Sequence, residues 1–539
     1  MNYDPLFQPY ASNRYCVTAR NGMVCTGSNL ATAAGLEVLR KGGNAVDAAV
    51  ATAAALTVVE PTANGLGSDS FALVWIHDDN KLYGLNSSGY SPKNISLEEV
   101  KAKSEDGNMP KFGWTPVMVP GAVKAWPTLV NRFGKLSLAE DLAPAVRYAE
   151  EGYPLSPMLA AMFERSTRIF HERFDGKPEF DEWFRVFTKN GESYHFGEMI
   201  KLPDHAKTLR LIGETNADAF YKGEIADQLV RQSQRDGGYF CKEDLESYES
   251  TWVEPIHVNY RGYDVWEIPP NGQGIVALMA LNILKEFDFK EKDCVDTYHK
   301  QFEAIKIAFA DAKHYVTDPR MMKIDYNDLL KPEYGAYRAK EITDKAGLPL
   351  HGDPAKSGTV YLCTADGDGN MVSYIQSNYM GFGSGITVEG YGVTLQNRGA
   401  DFSLDPEAAN ALAPHKKSYH TIIPGFLTKD NKAVGPFGVM GGYMQPQGHV
   451  QVVMNMVDFG LNPQMALDAP RWQWMQGKKF EIEPTLNNAI VQQLAARGHE
   501  VSIALNGLGF GRGQIIQRLD NGVLVGGCES RTDSNIACY

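Results

Sequence analysis

The sequence predicts a mixed α/β protein in which helices are layered on antiparallel sheets. Three observations predict this architecture. Helical segments with clear start and stop signals dominate the first part of the chain, and short strand-like segments joined by tight turns dominate the later part. No repeat, charge run or Ser/Gly-rich linker divides the chain, so we expect one large domain although 539 residues would allow several.

The first two helices are the most clearly marked, and they lie within SNLATAAGLEVLRKGGNAVDAAVATAAALTVVEP. Gly42 and Gly43 end the first helix. Asn44 is a good N-cap for the second helix, which Pro61 ends. Residues 45–59 carry small or apolar side chains on nearly every face, so we expect this helix to be buried.

The remaining elements follow from hydrophobic periodicity and turn residues. Further helices are predicted in EDLAPAVRYAEEG, ADAFYKGEIADQLVRQSQRDGG, GIVALMALNILKEFD, HKQFEAIKIAFADAKHYVTDP, HVQVVMNMVDFG and NAIVQQLAARG. Strands are predicted in HVNYRGYDVWEIPP, TVYLCTA, MVSYIQS, GVTLQN, HTIIPGFL, KAVGPFG and GVLVGG.

Composition and charge exclude several classes of protein. Hydrophobic residues make up 43% and charged residues 22%, and the formal net charge is −13 without any cluster of Lys and Arg. Nucleic acid is therefore not an expected partner, because phosphate binding requires a basic face. The seven cysteines are scattered without CxxC spacing, which argues against a disulfide framework and a cysteine zinc site.

The chain also lacks the signals of export and membrane insertion. Its start, MNYDPLFQPYASNRYC, has no basic segment followed by an apolar run, and no stretch reaches the ~18 apolar residues of a membrane span. We therefore expect a soluble, cytoplasmic protein that does not bind a membrane.

Several common catalytic signatures are missing. The sequence contains no HExxH, no GxSxG elbow and no His pair with ligand spacing plus a third ligand. The glycine run NGLGFGRGQ matches neither GxGxxG nor the phosphate-loop pattern, and it precedes a strand. We therefore expect no metal and no cofactor, and we interpret His420 and His449 as hydrogen-bonded structural residues.

The dipeptide Gly358-Thr359 opens a predicted strand after the polar approach Asp353-Pro354-Ala355-Lys356-Ser357. Two interpretations fit it: an ordinary loop that runs into a strand, or a bond at which the chain cuts itself. The dipeptide alone does not decide between them, because Gly-Thr pairs are common at strand starts.

Four segments rich in glycine and hydroxyl groups follow residue 358: SGTVYLCTADGDGNMVSYIQSNYMGFGSG, GVTLQNRGADFSLD, SYHTIIPGF and GVMGGYMQPQGHVQ. Their order and spacing resemble the small subunit of the γ-glutamyltransferase family. The resemblance extends upstream through GLEVLRKGGNAVDAAVATAAALTVVEP, VPGAVKAW, DAFYKGEIA, YRGYDVWEIPP and EAIKIAFADAKHYVTDP, and so covers the chain from about residue 20.

That family belongs to the N-terminal-nucleophile hydrolases, so the resemblance implies a four-layer αββα fold with stacked antiparallel sheets. It also implies self-cleavage between Gly358 and Thr359. The products would be a large subunit, 1–358, and a small catalytic subunit, 359–539, which together form one interlaced domain as a heterodimer. Thr359 would then be the nucleophile. Its own α-amine, with a reference pKa of about 7.7–8.0, can take the hydroxyl proton, so no neighbouring histidine is required.

The resemblance also implies roles for other residues. Gly441 and Gly442 match the paired glycines whose backbone N–H groups bind the oxyanion. Ser377 matches the hydroxyl residue that holds the Thr359 amine. Asp401 matches the acidic residue that pairs with the substrate α-ammonium group in γ-glutamyl enzymes. Tyr379 is also expected to bind the substrate.

The chain departs from the strict transferases at several substrate-binding positions. Ser88, in LNSSGYSP, replaces an arginine that grips the substrate carboxylate, and His420-Thr421 replaces two adjacent serines. Arg398 follows Asn397 where the strict family usually has glutamine. These features resemble the branch of oxamate amidohydrolases and cephalosporin-acylase-like proteins. Arg398 has two open interpretations: a contact to the substrate carboxylate, or a structural ion pair with Asp401.

We therefore expect an autoprocessed amidohydrolase that cleaves γ-glutamyl or similar amide bonds, as a glutathione hydrolase does, with transpeptidation as an open second activity. Hydrolysis is favoured because no acceptor site is recognisable. An oxamate amidohydrolase or other small-acyl amidase is the alternative within the same fold. An unprocessed family member that binds small metabolites without chemistry is the alternative from another class. A higher oligomer is compatible with each of these three functions.

Overall fold

The computed structural model describes residues 14–348, 358–505 and 507–539. The predicted approach to the cleavage bond, residues 353–357, lies outside the described residues, as does most of the N-terminal segment. Among the described residues, no helix is both long and apolar enough to cross a bilayer.

The strands in chain order are β1 Val17–Ala19, β2 Gly22–Thr26, β3 Asp69–Ile76, β4 Lys81–Ser87, β5 Tyr153–Pro154, β6 Met199–Ile200, β7 Thr251–Val253, β8 Ile256–Tyr260, β9 Tyr263–Glu267, β10 Gly358–Asp366, β11 Met371–Tyr379, β12 Thr387–Val388, β13 Val393–Thr394, β14 Gly425–Lys429, β15 Lys432–Met440, β16 Trp472–Gln476, β17 Lys479–Ile482, β18 Glu500–Ile503, β19 Arg512–Arg518, β20 Leu524–Cys528 and β21 Asn535–Cys538.

The helices in chain order are α1 Asn29–Arg40, α2 Ala45–Val59, α3 Leu97–Lys103, α4 Ala122–Phe133, α5 Leu138–Glu151, α6 Pro157–Phe174, α7 Asp181–Phe187, α8 Pro203–Thr215, α9 Asp218–Tyr221, α10 Glu224–Arg235, α11 Lys242–Glu246, α12 Gly274–Leu284, α13 Val295–Tyr315, α14 Pro332–Ala339, α15 Met444–Val457, α16 Pro463–Asp468 and α17 Asn488–Ala496.

Two seven-stranded sheets form the centre of the molecule. One has the order β1-β20-β19-β15-β14-β9-β8 and the other β21-β2-β10-β11-β3-β4-β7. Neighbouring strands in both sheets run antiparallel. Each sheet contains strands from before and after residue 358, so the two parts of the chain are interwoven.

The two sheets pack face to face, and helices cover their outer sides. Apolar side chains from both sheets, including Phe71, Tyr361, Phe426 and Ile516, form one buried cluster between them. Helices α1 and α2 pack on the sheet that holds β10, and α12 and α15 pack on the other sheet. This αββα arrangement confirms the predicted fold class.

Helix α2 shows how the sequence builds one of these outer layers. The Asn44 side chain accepts hydrogen bonds from the N–H groups of Val46 and Asp47, and the Asp47 carboxylate accepts one from the Asn44 N–H in return. This capping box satisfies backbone donors at the helix start. Every residue of α2 is buried, as its composition predicts, and the helix lies against β10 and β11.

Two predicted strands are too long. In HTIIPGFL the strand begins only at Gly425, because the preceding residues run beside the segment 271–273: the His420 N–H donates to the Asn271 carbonyl and the Gln273 N–H to the His420 carbonyl. In GVTLQN only Val393–Thr394 pairs as a strand. Both departures occur where backbone leaves the sheets to form the site described next.

Candidate active site

Thr359 lies in an irregularity at the start of β10. Gly358 is opposite Tyr379 on β11, but Val360 is opposite Gln376, so the register shifts across Thr359. Bulges of this kind re-aim side chains and are frequent beside active sites. Tyr379 has φ +75°, a left-handed conformation that is strained for a bulky residue and that surrounding contacts must hold in place.

The Thr359 hydroxyl has a second hydroxyl beside it. Thr359 Oγ1 lies 3.0 Å from Ser377 Oγ, and both residues are buried in the intact chain. Ser377 Oγ also accepts a hydrogen bond of 2.8 Å from the Tyr379 N–H. The strained turn therefore fixes the position of the Ser377 hydroxyl next to the predicted nucleophile.

Asp401 lies at the other end of the Tyr379 side chain. Its Oδ1 accepts hydrogen bonds from the hydroxyls of Tyr379, at 2.6 Å, and Tyr443, at 3.3 Å, and its Oδ2 lies 3.5 Å from Arg398 Nη1. Burial raises the pKa of the Asp401 carboxyl, and the Arg398 charge and the tyrosine hydroxyls oppose that rise. The carboxylate is thus partly neutralised from within the protein.

Arg398 forms the ion pair that was one of its two interpretations. Its Nη1 also donates to Thr421 Oγ1 at 2.7 Å, and its guanidinium lies 4.1 Å from the centre of the Tyr379 ring. Arg398 is 1% exposed, and its Nε and Nη2 have no hydrogen-bond partner among the described residues. A substrate contact through these two nitrogens therefore stays open beside the ion pair.

Asn397 makes contacts within the protein. Its Nδ2 donates to the Lys111 carbonyl at 2.8 Å, and its Oδ1 accepts from the Met380 N–H at 3.1 Å. These bonds hold the segment that carries Arg398 against the end of β11. Asn397 is therefore placed to support the site, and its predicted contact with substrate stays a prediction.

Gly441 and Gly442 form the turn between β15 and α15. Their φ angles are +146° and +62°, values that favour glycine. Gln273 braces this turn, since its Nε2 donates to the carbonyls of Gly442, at 2.8 Å, and Thr421, at 2.6 Å. The paired glycines and the Arg398 partner Thr421 are thus connected through one buried amide.

His420 is hydrogen-bonded, as predicted, and its partner is Asp69. His420 Nε2 lies 3.0 Å from Asp69 Oδ2, and the Ile422 N–H donates to His420 Nδ1 at 3.4 Å. Burial lowers the pKa of His420 well below its usual value and raises the pKa of Asp69 to about 7. A neutral His420 with its proton on Nε2 fits both contacts.

Ser88 lies in a small buried cluster of neutral polar groups. Its hydroxyl donates to Asn86 Oδ1 at 2.8 Å, and Asn86 Nδ2 donates to Asn271 Oδ1 at 3.0 Å. Lys417 Nζ donates to the same Asn86 Oδ1 at 3.1 Å. A lysine ammonium therefore lies close to the position where the resemblance places a missing arginine.

Away from this site, the fold brings together three possible metal ligands that no sequence motif marks. His299 and Glu303, one turn apart on α13, meet His499, with ligand atoms within 4.8 Å of one another. Lys306 Nζ lies 2.6 Å from Glu303 Oε1 and already supplies a cation to this group.

His449, the other histidine interpreted as structural, is hydrogen-bonded within the protein. Its Nδ1 lies 2.6 Å from Glu267 Oε1.

Sequence reasoning missed several residues of the site: Asp69, Asn86, Asn271, Gln273, Lys417 and Tyr443. Asp69 carries no local motif, but others lie in or beside segments on which the resemblance or its departures were read. Tyr443 follows the paired glycines, Asn86 lies in LNSSGYSP, Asn271 follows YRGYDVWEIPP and Lys417 precedes SYHTIIPGF.

Comparison with known proteins decides the family. The family model described as Gamma-glutamyltranspeptidase matches residues 31–539. The chain belongs to the γ-glutamyltranspeptidase family. Members of this family related to the chain include hydrolases and acylases of the N-terminal-nucleophile type.

Within the γ-glutamyltranspeptidase family, the similar proteins carry different names. The chain is 36% identical to the glutathione hydrolase-like YwrD proenzyme of Bacillus subtilis, over 95% of this chain and 97% of that protein. It is 32% identical to the oxamate amidohydrolase proenzyme of Klebsiella pneumoniae, over 96% and 98%. A crystal structure described as cephalosporin acylase from Bacillus halodurans is 55% identical, has a TM-score of 0.97 and covers 100% of this chain and 99% of its own.

Proposed function

We propose that the chain is an autoprocessed amidohydrolase with Thr359 as its N-terminal nucleophile. The observation that carries the proposal is the Thr359 hydroxyl, 3.0 Å from Ser377 Oγ in the register shift at the start of β10. The names of the relatives, which are called proenzymes, agree with a chain that is made as a precursor. Two fragments held in shared sheets would remain together as a heterodimer.

Self-cleavage would proceed by transfer of the Gly358 acyl group from nitrogen to oxygen. Thr359 Oγ1 attacks the Gly358 carbonyl carbon, its proton passes to the departing Thr359 nitrogen, and an ester replaces the peptide bond. Water then hydrolyses the ester, which leaves the Gly358 carboxylate and the free Thr359 amine. Gly358 suits this step because, without a Cβ, its backbone bends readily.

The same hydroxyl would then attack substrate amides. The freed Thr359 α-amine accepts the hydroxyl proton and later delivers it to the leaving amine of the substrate. Ser377 would hold the Thr359 α-amine in place. Backbone N–H groups at Gly441 and Gly442 would stabilise the oxyanion. Water completes the reaction by hydrolysing the acyl-enzyme ester.

The acyl group is the least determined part of the function. Asp401 favours a γ-glutamyl group, because its anion can pair with the α-ammonium of such a substrate. A second candidate, an oxamate-type or other small acyl group without an amine, is favoured by the Arg398–Asp401 ion pair, which already neutralises part of the Asp401 charge. Cytoplasmic localisation remains a prediction.

Two measurements on purified protein test the proposal. A denaturing gel with N-terminal sequencing should show two fragments, the smaller one beginning at Thr359. The processed protein should hydrolyse at least one of γ-glutamyl-4-nitroanilide, glutathione, glutaryl-4-nitroanilide and oxamate. A single full-length chain that is inactive on all four would favour the non-catalytic alternative instead.

Asp401→Asn separates the two acyl candidates. A hydrogen bond to a charged group contributes about 1.5–3 kcal/mol, so this variant should lower kcat/KM for γ-glutamyl-4-nitroanilide roughly 10- to 150-fold. Glutaryl-4-nitroanilide, which lacks the amine, should be hydrolysed almost as well as by the wild type. Tyr443→Phe is the matched control, because it removes one hydrogen bond to Asp401 and keeps the charge. Equal losses on both anilides would make Asp401 structural.

A further inference from the structure

Lys417 is a buried cation without an acidic partner of its own. The residue is only 5% exposed, and the one hydrogen bond of its ammonium within the described residues is to the neutral Asn86 Oδ1. The two carboxylates that act on it electrostatically are engaged elsewhere. Asp318 binds Arg320 at 2.6 Å, and Asp69 binds His420 at 3.0 Å. Burying a charge without pairing it is costly, so a charge retained in this way calls for an explanation.

The side chains that form the hydrogen-bonded cluster at the Lys417 ammonium are polar and uncharged. Asn86 Oδ1 accepts hydrogen bonds from Lys417 Nζ, from the Ser88 hydroxyl and from the Ser88 N–H. Asn271 Nδ2 donates to Ser88 Oγ at 3.3 Å and to the Ser418 carbonyl at 2.8 Å. An ammonium has three protons, so the bond to Asn86 leaves Lys417 able to donate to a further acceptor.

This cluster and the nucleophile belong to the same sheet, in which β11 and β3 lie between β10, which carries Thr359, and β4, which carries Asn86. Ser377, which contacts Thr359, is directly opposite Asp69 where β11 pairs with β3. Asp69 Oδ1 accepts a hydrogen bond of 3.2 Å from the Gly89 N–H, next to Ser88. Side chains on opposed residues of neighbouring antiparallel strands lie about 4.5–5.5 Å apart at their Cβ atoms. The charges of Lys417 and Arg398 both act on Asp69, so the two cations lie at the same end of the site, and Lys417 shares the Asn86 oxygen with Ser88.

The other cation of the site, Arg398, is better compensated. It pairs with Asp401, donates to Thr421 and stacks on Tyr379. Both cations lie over a tyrosine ring, since Lys417 Nζ is 5.0 Å from the centre of the Tyr90 ring, but of the two only Arg398 has an ion pair among the described residues. An anion with oxygen acceptors would pair the charge of the Lys417 ammonium and accept its remaining hydrogen bonds.

We propose that Lys417 determines the specificity of the reaction by binding a carboxylate on the acyl part of the substrate. Asn86 holds the ammonium in place, and Ser88 and Asn271 fix Asn86. This assignment rests on the proposed amidohydrolase function. It selects acyl groups that end in a carboxylate and leaves the chemical step to Thr359.

The test compares two anilides of equal chain length on the processed enzyme. Glutaryl-4-nitroanilide ends in a carboxylate, and pentanoyl-4-nitroanilide ends in a methyl group. Lys417→Met should lower kcat/KM for the glutaryl substrate roughly 10- to 150-fold, mainly through KM, since a hydrogen bond to a charged group is lost. The pentanoyl substrate should change less than about threefold, and Lys417→Arg should keep much of the preference for the glutaryl substrate.

The outcomes separate this assignment from the function on which it rests. A wild-type enzyme that hydrolyses no amide would overturn the proposed function. Equal losses on both anilides in Lys417→Met would make Lys417 structural. A selective loss in Arg398→Gln, with none in Lys417→Met, would assign the carboxylate to Arg398 instead.

A pH measurement on the wild type gives a second readout if Lys417→Met folds poorly. Burial lowers the pKa of Lys417 to about 8 against the opposing charges of Asp318 and Asp69, and Arg320 adds to the lowering. Competitive inhibition by glutarate should therefore be strongest below this pH and weaken as Lys417 loses its proton. Asp69 ionises near pH 7 and acts in the same direction. Lys417→Arg isolates the lysine contribution, because arginine stays charged, and an unchanged profile in this variant would overturn the assignment.

Discussion

Thr359→Ala is expected to give a single uncleaved chain with no measurable amidohydrolase activity. The variant removes the only atom that attacks both the Gly358 carbonyl and the substrate amide in the proposed mechanism. Loss of a catalytic nucleophile can lower kcat by about 10⁶-fold, so the residual rate should be at background. A denaturing gel and the anilide assay measure both effects on the same preparation.

Two other variants make the Thr359 result specific. Thr359→Ser keeps a hydroxyl and should still cleave and hydrolyse. Thr364→Ala removes another buried threonine of β10, whose hydroxyl donates to the Ala45 carbonyl at 2.6 Å. It should cost about 0.5–1.5 kcal/mol of stability and leave cleavage intact. Cleavage of Thr359→Ala at the same bond would show that another group starts the reaction.

Gly441→Ala is expected to lower kcat about 100- to 1,000-fold without unfolding the protein. Gly441 has φ +146°, and an added Cβ would lie 3.0 Å from the Gly511 Cα. Both the conformation and the contact require the backbone to move, and the movement displaces the N–H that we assign to the oxyanion. Loss of one such donor costs about that factor in kcat.

Gly460→Ala is the matched control for the Gly441 variant. Gly460 also has a positive φ, +64°, but an added Cβ would meet nothing within 4 Å. It lies after α15, away from the turn that Gln273 braces. The control should cost about 1–2 kcal/mol of stability, because alanine is strained in a left-handed conformation, and should keep near-normal kcat. If Gly441→Ala kept normal kcat and only lost thermal stability, the glycine pair would be a turn and not an oxyanion site.

Much of the architecture could be predicted from local sequence, because local sequence carries its physical causes. The α2 boundaries follow from an Asn44 cap and Pro61, and its burial follows from a helix with no polar face. The strand HTIIPGFL was predicted too long for a reason that is not local. Its first residues have suitable strand composition, but their backbone is drawn to the segment 271–273, about 150 residues earlier in the chain.

The sequence by itself determined the fold class and the family resemblance, because these depend on composition, periodicity and segments that are continuous in the chain. The resemblance also singled out Thr359, Ser377 and Asp401 as predicted site residues. Only the tertiary structure decided which charges meet. Arg398 and Asp401, three residues apart, form an ion pair. The sequence had left this pair as one of two interpretations of Arg398. The Lys417 ammonium binds Asn86, which lies 331 residues earlier in the chain, and no local pattern records such a contact. Whether a buried charge is paired depends on which strands the sheets bring together, and that is a property of the folded chain alone.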